Sequence, residues 1–266
     1  MSTFQNKKVL ITGGASGIGK IMGRMALERG AELVIWDIHP ENMRTTLSEL
    51  SPLGEVHGFA VDVSSPEQIK QTAEEVRQQV GNIDILINNA GVVVGKYFHE
   101  HSVSEINATM SINSQAPMLI TSEFLPGMMA ANSGNVCNIA SSAGLISNPR
   151  MSVYAASKWA VIGWSDSLRI EMQLLKRKIH VTTVTPYYIN TGMFDGVKSI
   201  IPILKPEKAA RKIIRGIERN RIYVSMPWSV HFVRLSQGLL PIWLFDWFTG
   251  SVLGIYKTMD HFKGRK

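Results

Sequence analysis

Short apolar runs alternate along the chain with longer segments in which apolar residues recur at helical spacing. The runs predict strands at 8–12, 32–36, 56–61, 83–88, 134–139, 179–185 and 222–224, and the segments between them predict helices at 17–29, 41–50, 66–80, 104–131, 153–176 and 206–219. A run such as Val9-Leu10-Ile11 has no polar alternation, so we expect it to be buried on both faces. Strands that alternate with helices predict an α/β fold with a doubly wound parallel sheet, whose ligand lies beyond the carboxyl ends of the strands.

The pattern changes after residue 185. The stretch 186–205 is irregular, and we interpret it as a lid over substrate and cofactor. The stretch 226–259 is rich in tryptophan, leucine and isoleucine, and Pro241 divides it. We expect a single domain over residues 1–266 that carries this stretch as an apolar C-terminal helical extension. A subunit interface, a membrane contact and a flap over an apolar substrate would each explain such a segment, and we favour the flap.

Composition narrows the class of protein. Hydrophobic residues make up 45% and charged residues 18% of the 266 residues, which excludes a disordered chain and a coiled coil. Cys137 is the single cysteine, so no intrachain disulfide forms, and its place in an apolar run predicts a core residue. The formal charge of +7 is concentrated in 176–178, 205–221 and 257–266. Solvated helix faces explain this pattern, so we expect no nucleic-acid partner.

The apolar run near the N-terminus is too short for the core of a signal peptide, and charged residues interrupt the C-terminal apolar stretch before it reaches the length of a spanning helix. We therefore expect a cytoplasmic protein, with 226–259 as the segment that would contact a membrane from its periphery. The seven histidines show no metal-ligand spacing, so we expect no metal.

A glycine-rich turn follows the first predicted strand. The segment Thr12-Gly13-Gly14-Ala15-Ser16-Gly17-Ile18-Gly19 leads directly into a helical pattern. Residues without a Cβ permit a tight turn, and a helix N-terminus offers N–H groups and a partial positive charge to a pyrophosphate. In this strand-to-helix context the turn predicts a dinucleotide-binding Rossmann fold rather than a merely flexible loop.

Asp37 ends the second predicted strand, 18 residues after Gly19. A carboxylate at that place accepts hydrogen bonds from an adenosine ribose and repels a 2′-phosphate. Ser16 stands where a phosphate-binding cation could have stood, so the sequence favours NAD over NADP. Two alternatives stay open: Asp37 caps the following helix, or His39 and Arg44 offset its charge.

Tyr154 and Lys158 occupy positions i and i+4 of a predicted helix, and Ser141 lies thirteen residues before the tyrosine. A tyrosine has an ordinary pKa of about 10, which must fall by roughly 3 units before the side chain acts as a base near neutral pH. An ammonium about 4 Å away supplies about 4 kcal/mol, which matches that shift. We therefore expect Lys158 to lower the pKa of Tyr154. Taken alone the pair is usually only a helix face, but its place in the same sheet as the glycine-rich turn favours catalysis.

The sequence resembles the classical short-chain dehydrogenase/reductase family. The matching residues are Thr12 to Gly19, Asp62-Val63, Asn88 to Gly91, Asn113, Ser141, Tyr154 and Lys158. The resemblance implies a catalytic set in which Asn113 completes a proton relay to Lys158, Ser141 binds the substrate oxygen, with Ser142 as the alternative, and Tyr154 exchanges the proton. It implies cofactor binding by Gly13, Ser16, Gly17, Ile18, Gly19, Asp37, Asp62, Val63, Asn89, Gly91, Tyr154, Lys158, Ile189 and Thr191.

The stretches Thr185–Phe194 and Met259–Arg265 resemble the branch that contains epidermal retinol dehydrogenase and 17-beta-hydroxysteroid dehydrogenase. This resemblance implies a bulky apolar alcohol or ketone as the substrate. The family also implies a homodimer or homotetramer built on the predicted helices around 113–131 and 153–176. A 3-oxoacyl reductase and a non-catalytic nucleotide-sensing scaffold are the alternatives; Asp37 argues against the first and the intact catalytic set against the second.

Overall fold

The computed structural model describes residues 2–264, so Arg265 and Lys266 of the basic tail lie outside the described residues. Its centre is a parallel sheet of seven strands. The strands are β1 (Lys8–Thr12), β2 (Glu32–Asp37), β3 (Val56–Ala60), β4 (Ile85–Asn88), β5 (Gly134–Ile139), β6 (Ile179–Pro186) and β7 (Tyr223–Met226). Their spatial order is β3-β2-β1-β4-β5-β6-β7, so the winding reverses between β1 and β4. This order confirms the predicted doubly wound sheet in a single domain.

Helices cover both faces of the sheet. In chain order they are α1 (Gly17–Leu27), α2 (Pro40–Leu50), α3 (Pro66–Gln79), α4 (Val103–Met110), α5 (Ala116–Ala131), α6 (Ser152–Leu174) and α7 (Pro206–Glu218). One core lies between the sheet and α1, α2 and α7, and the other lies between the sheet and α3, α5 and α6. Val9 and Ile11 of β1 belong to the first core and Leu10 to the second, because successive side chains of a strand point to opposite faces. The unbroken apolar run of β1 is therefore buried on both faces, as predicted.

The long helix predicted over 104–131 is divided in the structure. A π-helical turn at Ser111–Gln115 separates α4 from α5 and turns the Asn113 side chain inward. The helix predicted over 153–176 ends at Leu174, because Lys176 adopts the left-handed φ of 52° that a continuing helix excludes. Such local features of the backbone have only a weak signal in the pattern of apolar residues.

The predicted C-terminal extension is helical but consists of short pieces. After β7 the chain forms a 3-10 turn (Trp228–Phe232), α8 (Val233–Leu239), α9 (Ile242–Trp247), a π-helical turn (Phe248–Val252) and a further 3-10 turn (Ile255–Lys257). Pro241 separates α8 from α9, as its missing N–H requires. Within residues 2–264, no helix combines the length and the apolar character needed to cross a membrane.

Candidate active site

A cavity of about 710 Å³ lies beyond the carboxyl ends of the strands. Of the residues predicted to bind cofactor or act in catalysis, the cavity lining contains Gly13, Ser16, Gly17, Ile18, Asp37, Asp62, Val63, Asn89, Gly91, Ser141, Tyr154, Lys158, Ile189 and Thr191. Gly19 and Asn113, which the structure also describes, stand behind this lining. The parallel sheet brings these distant residues together because all of its strands end at the same edge.

The glycine-rich turn has the backbone geometry that its composition requires. Gly13 and Gly17 adopt φ values of 62° and 54°, a region that side chains with a Cβ rarely occupy. At Gly19 an added Cβ would lie 2.2 Å from the carbonyl oxygen of Gly13 and 2.8 Å from Nδ2 of Asn89. Gly19 therefore lets α1 pack against the turn, and its contact with a cofactor stays a prediction.

Asn89 and Thr12 hold this turn against β4. The Asn89 side-chain amide donates to the carbonyl oxygens of Thr12 and Gly13, and Thr12 Oγ1 accepts hydrogen bonds from the backbone N–H groups of Asn89 and Ala90. The start of α1 faces the cavity through Ser16 and Gly17. Since an added Cβ would disturb the turn and the first residues of α1 line the cavity, these residues fit the pyrophosphate of a dinucleotide.

Asp37 is buried at the end of β2 and lines the cavity. Its Oδ2 accepts a hydrogen bond of 3.0 Å from the N–H of Ala15, and its Oδ1 accepts one of 3.1 Å from the N–H of His39. The N-cap residue of α2 is His39, so Asp37 stands two residues before the capping position considered above. Each carboxylate oxygen keeps a lone pair for a further donor, such as a ribose hydroxyl. Asp62, which accepts hydrogen bonds from the N–H and hydroxyl of Ser64, lines the same wall.

Tyr154 and Lys158 lie one turn apart on α6 and both are buried. Lys158 Nζ donates to the carbonyl oxygen of Ile139 at 2.9 Å and lies 5.7 Å from the centre of the Tyr154 ring. Ser141 lies two residues after the end of β5, and its hydroxyl accepts a hydrogen bond from the N–H of Ala143. It stands close enough to the phenol of Tyr154 to lower the pKa of that group, which favours Ser141 over Ser142 as the partner of the tyrosine.

The pKa values of this pair correct the expectation drawn from the sequence. Burial raises the pKa of Tyr154 to about 12, against the opposing effect of the Ser141 hydrogen bond. Burial also lowers the pKa of Lys158 to about 8. The ammonium is turned toward the Ile139 carbonyl, so loss of hydration outweighs its attraction for the phenolate. The phenol of Tyr154 therefore keeps its proton at neutral pH.

The Asn113 side chain, which lies in the π-helical turn, is hydrogen-bonded through both its amide nitrogen and its amide oxygen. Its amide donates to the carbonyl of Val92 and to the hydroxyl of Ser157, and its Oδ1 accepts from the N–H of Val92. These bonds fasten the loop after β4 to α6. At Gly91, an added Cβ would lie 3.2 Å from Asn113 Oδ1 and 3.6 Å from Lys158 Nζ, so Asn113 stands close to the Lys158 side chain. The side chain thus positions its neighbours, and its part in a proton relay stays a prediction.

The segment 186–205 supplies one wall of the cavity beside Tyr154. Ile189, Thr191 and Phe194 line it, and the Phe194 ring stands edge-on to Tyr154 at 6.0 Å and to Tyr188 at 5.0 Å between ring centres. Tyr187 is also buried and its hydroxyl bonds Ser199 at 2.8 Å. The predicted lid residues therefore contact the cavity, while closure of the segment stays a prediction.

A buried polar cluster that sequence reasoning missed ties three segments together at this wall. Asn148 Nδ2 donates to Tyr188 Oη at 2.9 Å and to Thr258 Oγ1 at 3.0 Å, and Thr258 in turn donates to the carbonyl of Ile255. The cluster joins the loop after β5, the segment 186–205 and the C-terminal turn. Only its position between Ser141 and Tyr154 marked Asn148 in the sequence, and nothing there indicated that Thr258 lies beside it.

The structure corrects the flap hypothesis for the C-terminal extension. Within 226–259, Ile255 lines the cavity, whereas Phe262, Lys263 and Gly264 contribute from beyond that range. The aromatic part of the extension instead packs beside α6, where Val230, Val233 and Phe245 are buried. Hydropathy predicted an unusual segment correctly, but only the structure shows that its aromatic part packs beside α6.

A group of possible metal ligands lies far from this cavity. His57 Nε2 is 3.2 Å from a carboxylate oxygen of Glu32 and 3.2 Å from one of Glu55. Glu32 begins β2, so the group stands at the amino end of the strands, opposite the cavity. The pairings of His57 with the two glutamates account for this group, and the prediction of no metal stays a prediction.

Comparisons with known proteins identify the family of the chain. The family model described as short chain dehydrogenase matches residues 7–200. Epidermal retinol dehydrogenase 2 of Mus musculus is 36% identical over 265 residues, which cover 97% of this chain and 85% of that protein. Estradiol 17-beta-dehydrogenase 11 of Pongo abelii is 33% identical over 236 residues, covering 88% of this chain and 79% of that protein.

Solved structures share the fold. A short-chain dehydrogenase/reductase from Burkholderia phymatum in complex with NAD has a TM-score of 0.82 at 25% identity, covering 90% of this chain and 95% of that one. A metagenomic short-chain oxidoreductase in complex with NADP has a TM-score of 0.72 at 28% identity, covering 84% of this chain and 96% of that one. Structural likeness therefore indicates a nicotinamide cofactor without distinguishing NAD from NADP.

Proposed function

The chain belongs to the short-chain dehydrogenase family, whose curated relatives here are oxidoreductases of CH–OH groups, and we propose that it interconverts a bulky apolar alcohol and its carbonyl product with NAD. One observation carries the proposal: Ser141, Tyr154 and Lys158 line the same cavity as the glycine-rich turn. A pure binding module on this fold has no need of a buried phenol and a buried ammonium at that place.

The apolar character of the substrate is supported by the wall near Tyr154. This wall contains Val93, Met151, Phe194, Ile255 and Phe262. Burial of a large apolar substrate against such side chains supplies binding free energy and excludes water from the reacting centre. Two curated relatives are named for retinol and for estradiol, both large and mainly apolar alcohols.

The preference for NAD is supported by Asp37. Its buried carboxylate lies where β2 ends and keeps lone pairs toward the cavity, which suits a ribose hydroxyl and repels a phosphate. When bound, the nicotinamide ring accepts a hydride from the alcohol carbon or returns it to the carbonyl carbon. Ile189 and Thr191 of the segment 186–205 line the cavity and would contact the bound cofactor.

Tyr154 moves the proton that accompanies this transfer. In the reducing direction its phenol, protonated because burial raises its pKa to about 12, donates to the substrate oxygen. In the oxidising direction the phenolate must form first, and Lys158 favours it while it holds its own proton, below about pH 8. Ser141 binds the substrate oxygen beside the phenol. The predicted pairing of copies through α5 and α6 stays a prediction.

Turnover of the purified protein tests the proposal. We expect conversion of retinol or estradiol to exceed that of a short aliphatic alcohol, with NAD preferred over NADP. Tyr154→Phe removes the proton donor but keeps the ring, so turnover falls by about 10²–10⁴-fold. The matched control is Tyr223→Phe, since Tyr223 stands outside the cavity lining and its hydroxyl binds Asp166.

Each part of the proposal has its own contradicting result. Near wild-type turnover of Tyr154→Phe overturns the mechanism, and preference for the short alcohol overturns the substrate class. Higher kcat/KM with NADP shows that Asp37 does not decide the cofactor. Binding of NAD without turnover of any alcohol or ketone favours the nucleotide-sensing scaffold.

A further inference from the structure

The C-terminal extension carries an exposed apolar surface that the proposed reaction does not use. We name residues 228–252 the aromatic surface, since three of the six tryptophans of the chain lie there. Trp228, Leu239, Ile242 and Trp243 are each between 70% and 80% exposed, and Trp247 is 56% exposed. Large side chains exposed together in this way mark a surface that binds something.

The segment has a definite inner face. Val230, Val233 and Phe245 are buried against Val161 and Ile162 of α6. The tryptophans on the other side are therefore exposed on a segment whose inner face is packed, and they do not belong to an unpacked tail. Two short helices separated by Pro241 are not long enough to cross a bilayer, but they present apolar side chains along a surface.

Exposed cations border the aromatic surface. Lys198 and Lys257 are exposed on the adjoining turns, and Arg234 is exposed within α8, where it also pairs with Asp166 at 3.4 Å. Over residues 195–205 and 228–264 the chain carries five lysines and arginines against three aspartates. One of these aspartates, Asp246, accepts a hydrogen bond of 2.6 Å from Tyr256 Oη. The charge around the surface is thus complementary to an anionic partner.

The aromatic surface also reaches the cavity. Ile200, which is 76% exposed, stands beside Gly254, where an added Cβ would lie 3.5 Å from Ile200 Cδ1. The next residue, Ile255, is buried and lines the cavity wall. Exposed apolar groups therefore continue from the outer surface to the segment that encloses the substrate site.

We propose that the aromatic surface docks on an anionic phospholipid bilayer, with α8 and α9 lying in the plane of the interface. Tryptophan side chains suit the boundary between acyl chains and headgroups, and the bordering cations suit anionic headgroups. A second copy of the chain fits less well, because a twofold pairing would bring two sets of the same cations around one apolar patch. Docking places the cavity wall at Ile255 next to a phase in which large apolar alcohols dissolve.

Flotation with vesicles of phosphatidylcholine, with and without phosphatidylserine, tests the proposal independently of turnover. We expect the protein to bind the vesicles that contain phosphatidylserine. The double variant Trp243→Ser, Trp247→Ser should weaken this binding by about a hundredfold, since each buried aromatic contributes roughly a factor of ten or more. Trp159→Ser is the matched control, because Trp159 is 47% exposed but lies on α6 outside the aromatic surface.

The charge is tested separately with Lys198→Gln and Lys257→Gln. This pair should reduce binding to phosphatidylserine vesicles by about tenfold and leave any binding to pure phosphatidylcholine unchanged. Absence of wild-type binding to phosphatidylserine vesicles overturns the proposal. A tryptophan double variant that binds vesicles as before, but has a smaller mass by light scattering, also overturns it and assigns the surface to contact between copies.

Discussion

The strand β4 and the segment 228–252 are both rich in large apolar residues, yet they occupy opposite environments. Leu86 and Ile87 are fully buried between β1 and β5, whereas Trp243 and Leu239 are more than 70% exposed. β4 has neighbours on both edges and helices on both faces, while the extension has a partner on one face only. Apolar composition therefore indicates that a segment is stabilised by contact with nonpolar groups. The topology of the fold decides whether residues of the same chain supply those contacts.

Truncation of a leucine in each region should give the largest contrast. Leu86→Ala removes fully buried methyl groups and leaves a cavity, so we expect the free energy of unfolding to fall by about 2–5 kcal/mol. Leu239→Ala removes groups that are 72% exposed, and we expect a change below about 0.5 kcal/mol. Urea denaturation at low protein concentration measures both. Equal losses would show that Leu239 is buried in solution and would erase the contrast.

Two glycines sharpen the comparison at the level of the backbone. Gly19→Ala sets a Cβ 2.2 Å from the Gly13 carbonyl, so we expect a loss of about 1–3 kcal/mol in unfolding free energy and weaker binding of NAD. At Gly238 of α8 an added Cβ meets no atom within 4 Å. Gly238→Ala should therefore be neutral or stabilise by up to about 1 kcal/mol. A stable Gly19→Ala protein with unchanged NAD affinity would contradict the close packing of α1 on the turn.

A lysine from each region gives the smallest and most pH-dependent contrast. Burial lowers the pKa of Lys158 from 10.5 to about 8. Below pH 8 the side chain is therefore protonated in both the folded and the unfolded chain, and the folded protein bears the full free-energy cost of burying the ammonium. Lys158→Met relieves that cost but loses the bond to the Ile139 carbonyl. We expect the free energy of unfolding of this variant to rise by about 1–2 kcal/mol at pH 7, and we expect turnover to be lost.

The stability gained by Lys158→Met should shrink as the pH rises from 8 toward 10.5. In this range Lys158 has released its proton in the folded protein, while the unfolded chain still holds it. The exposed Lys257 provides the control, and Lys257→Met should change stability little because the side chain is exposed. Thermal unfolding across this pH range measures both. A stability difference that does not vary with pH would show that Lys158 is neutral or well hydrated in the folded protein.

Most of the residues proposed to bind the dinucleotide could be predicted, because each belongs to a motif that a short stretch of sequence contains. The glycine-rich turn, Asp37 and the pair of Tyr154 and Lys158 each follow a strand or share a helix turn, so a short stretch of sequence places them. Parallel topology then sends all of them to one edge of the sheet. The alternation of apolar runs and helical segments was sufficient for the order of the elements.

Three features depended on tertiary structure. Burial, rather than charge, controls the pKa of Tyr154, because the Lys158 ammonium turns toward Ile139. Asn148 meets Thr258 across 110 residues of chain. The aromatic surface faces outward although its composition resembles a core. A sequence specifies which groups are apolar, charged or free of a Cβ, but their hydration and partners depend on distances that form only when remote segments pack.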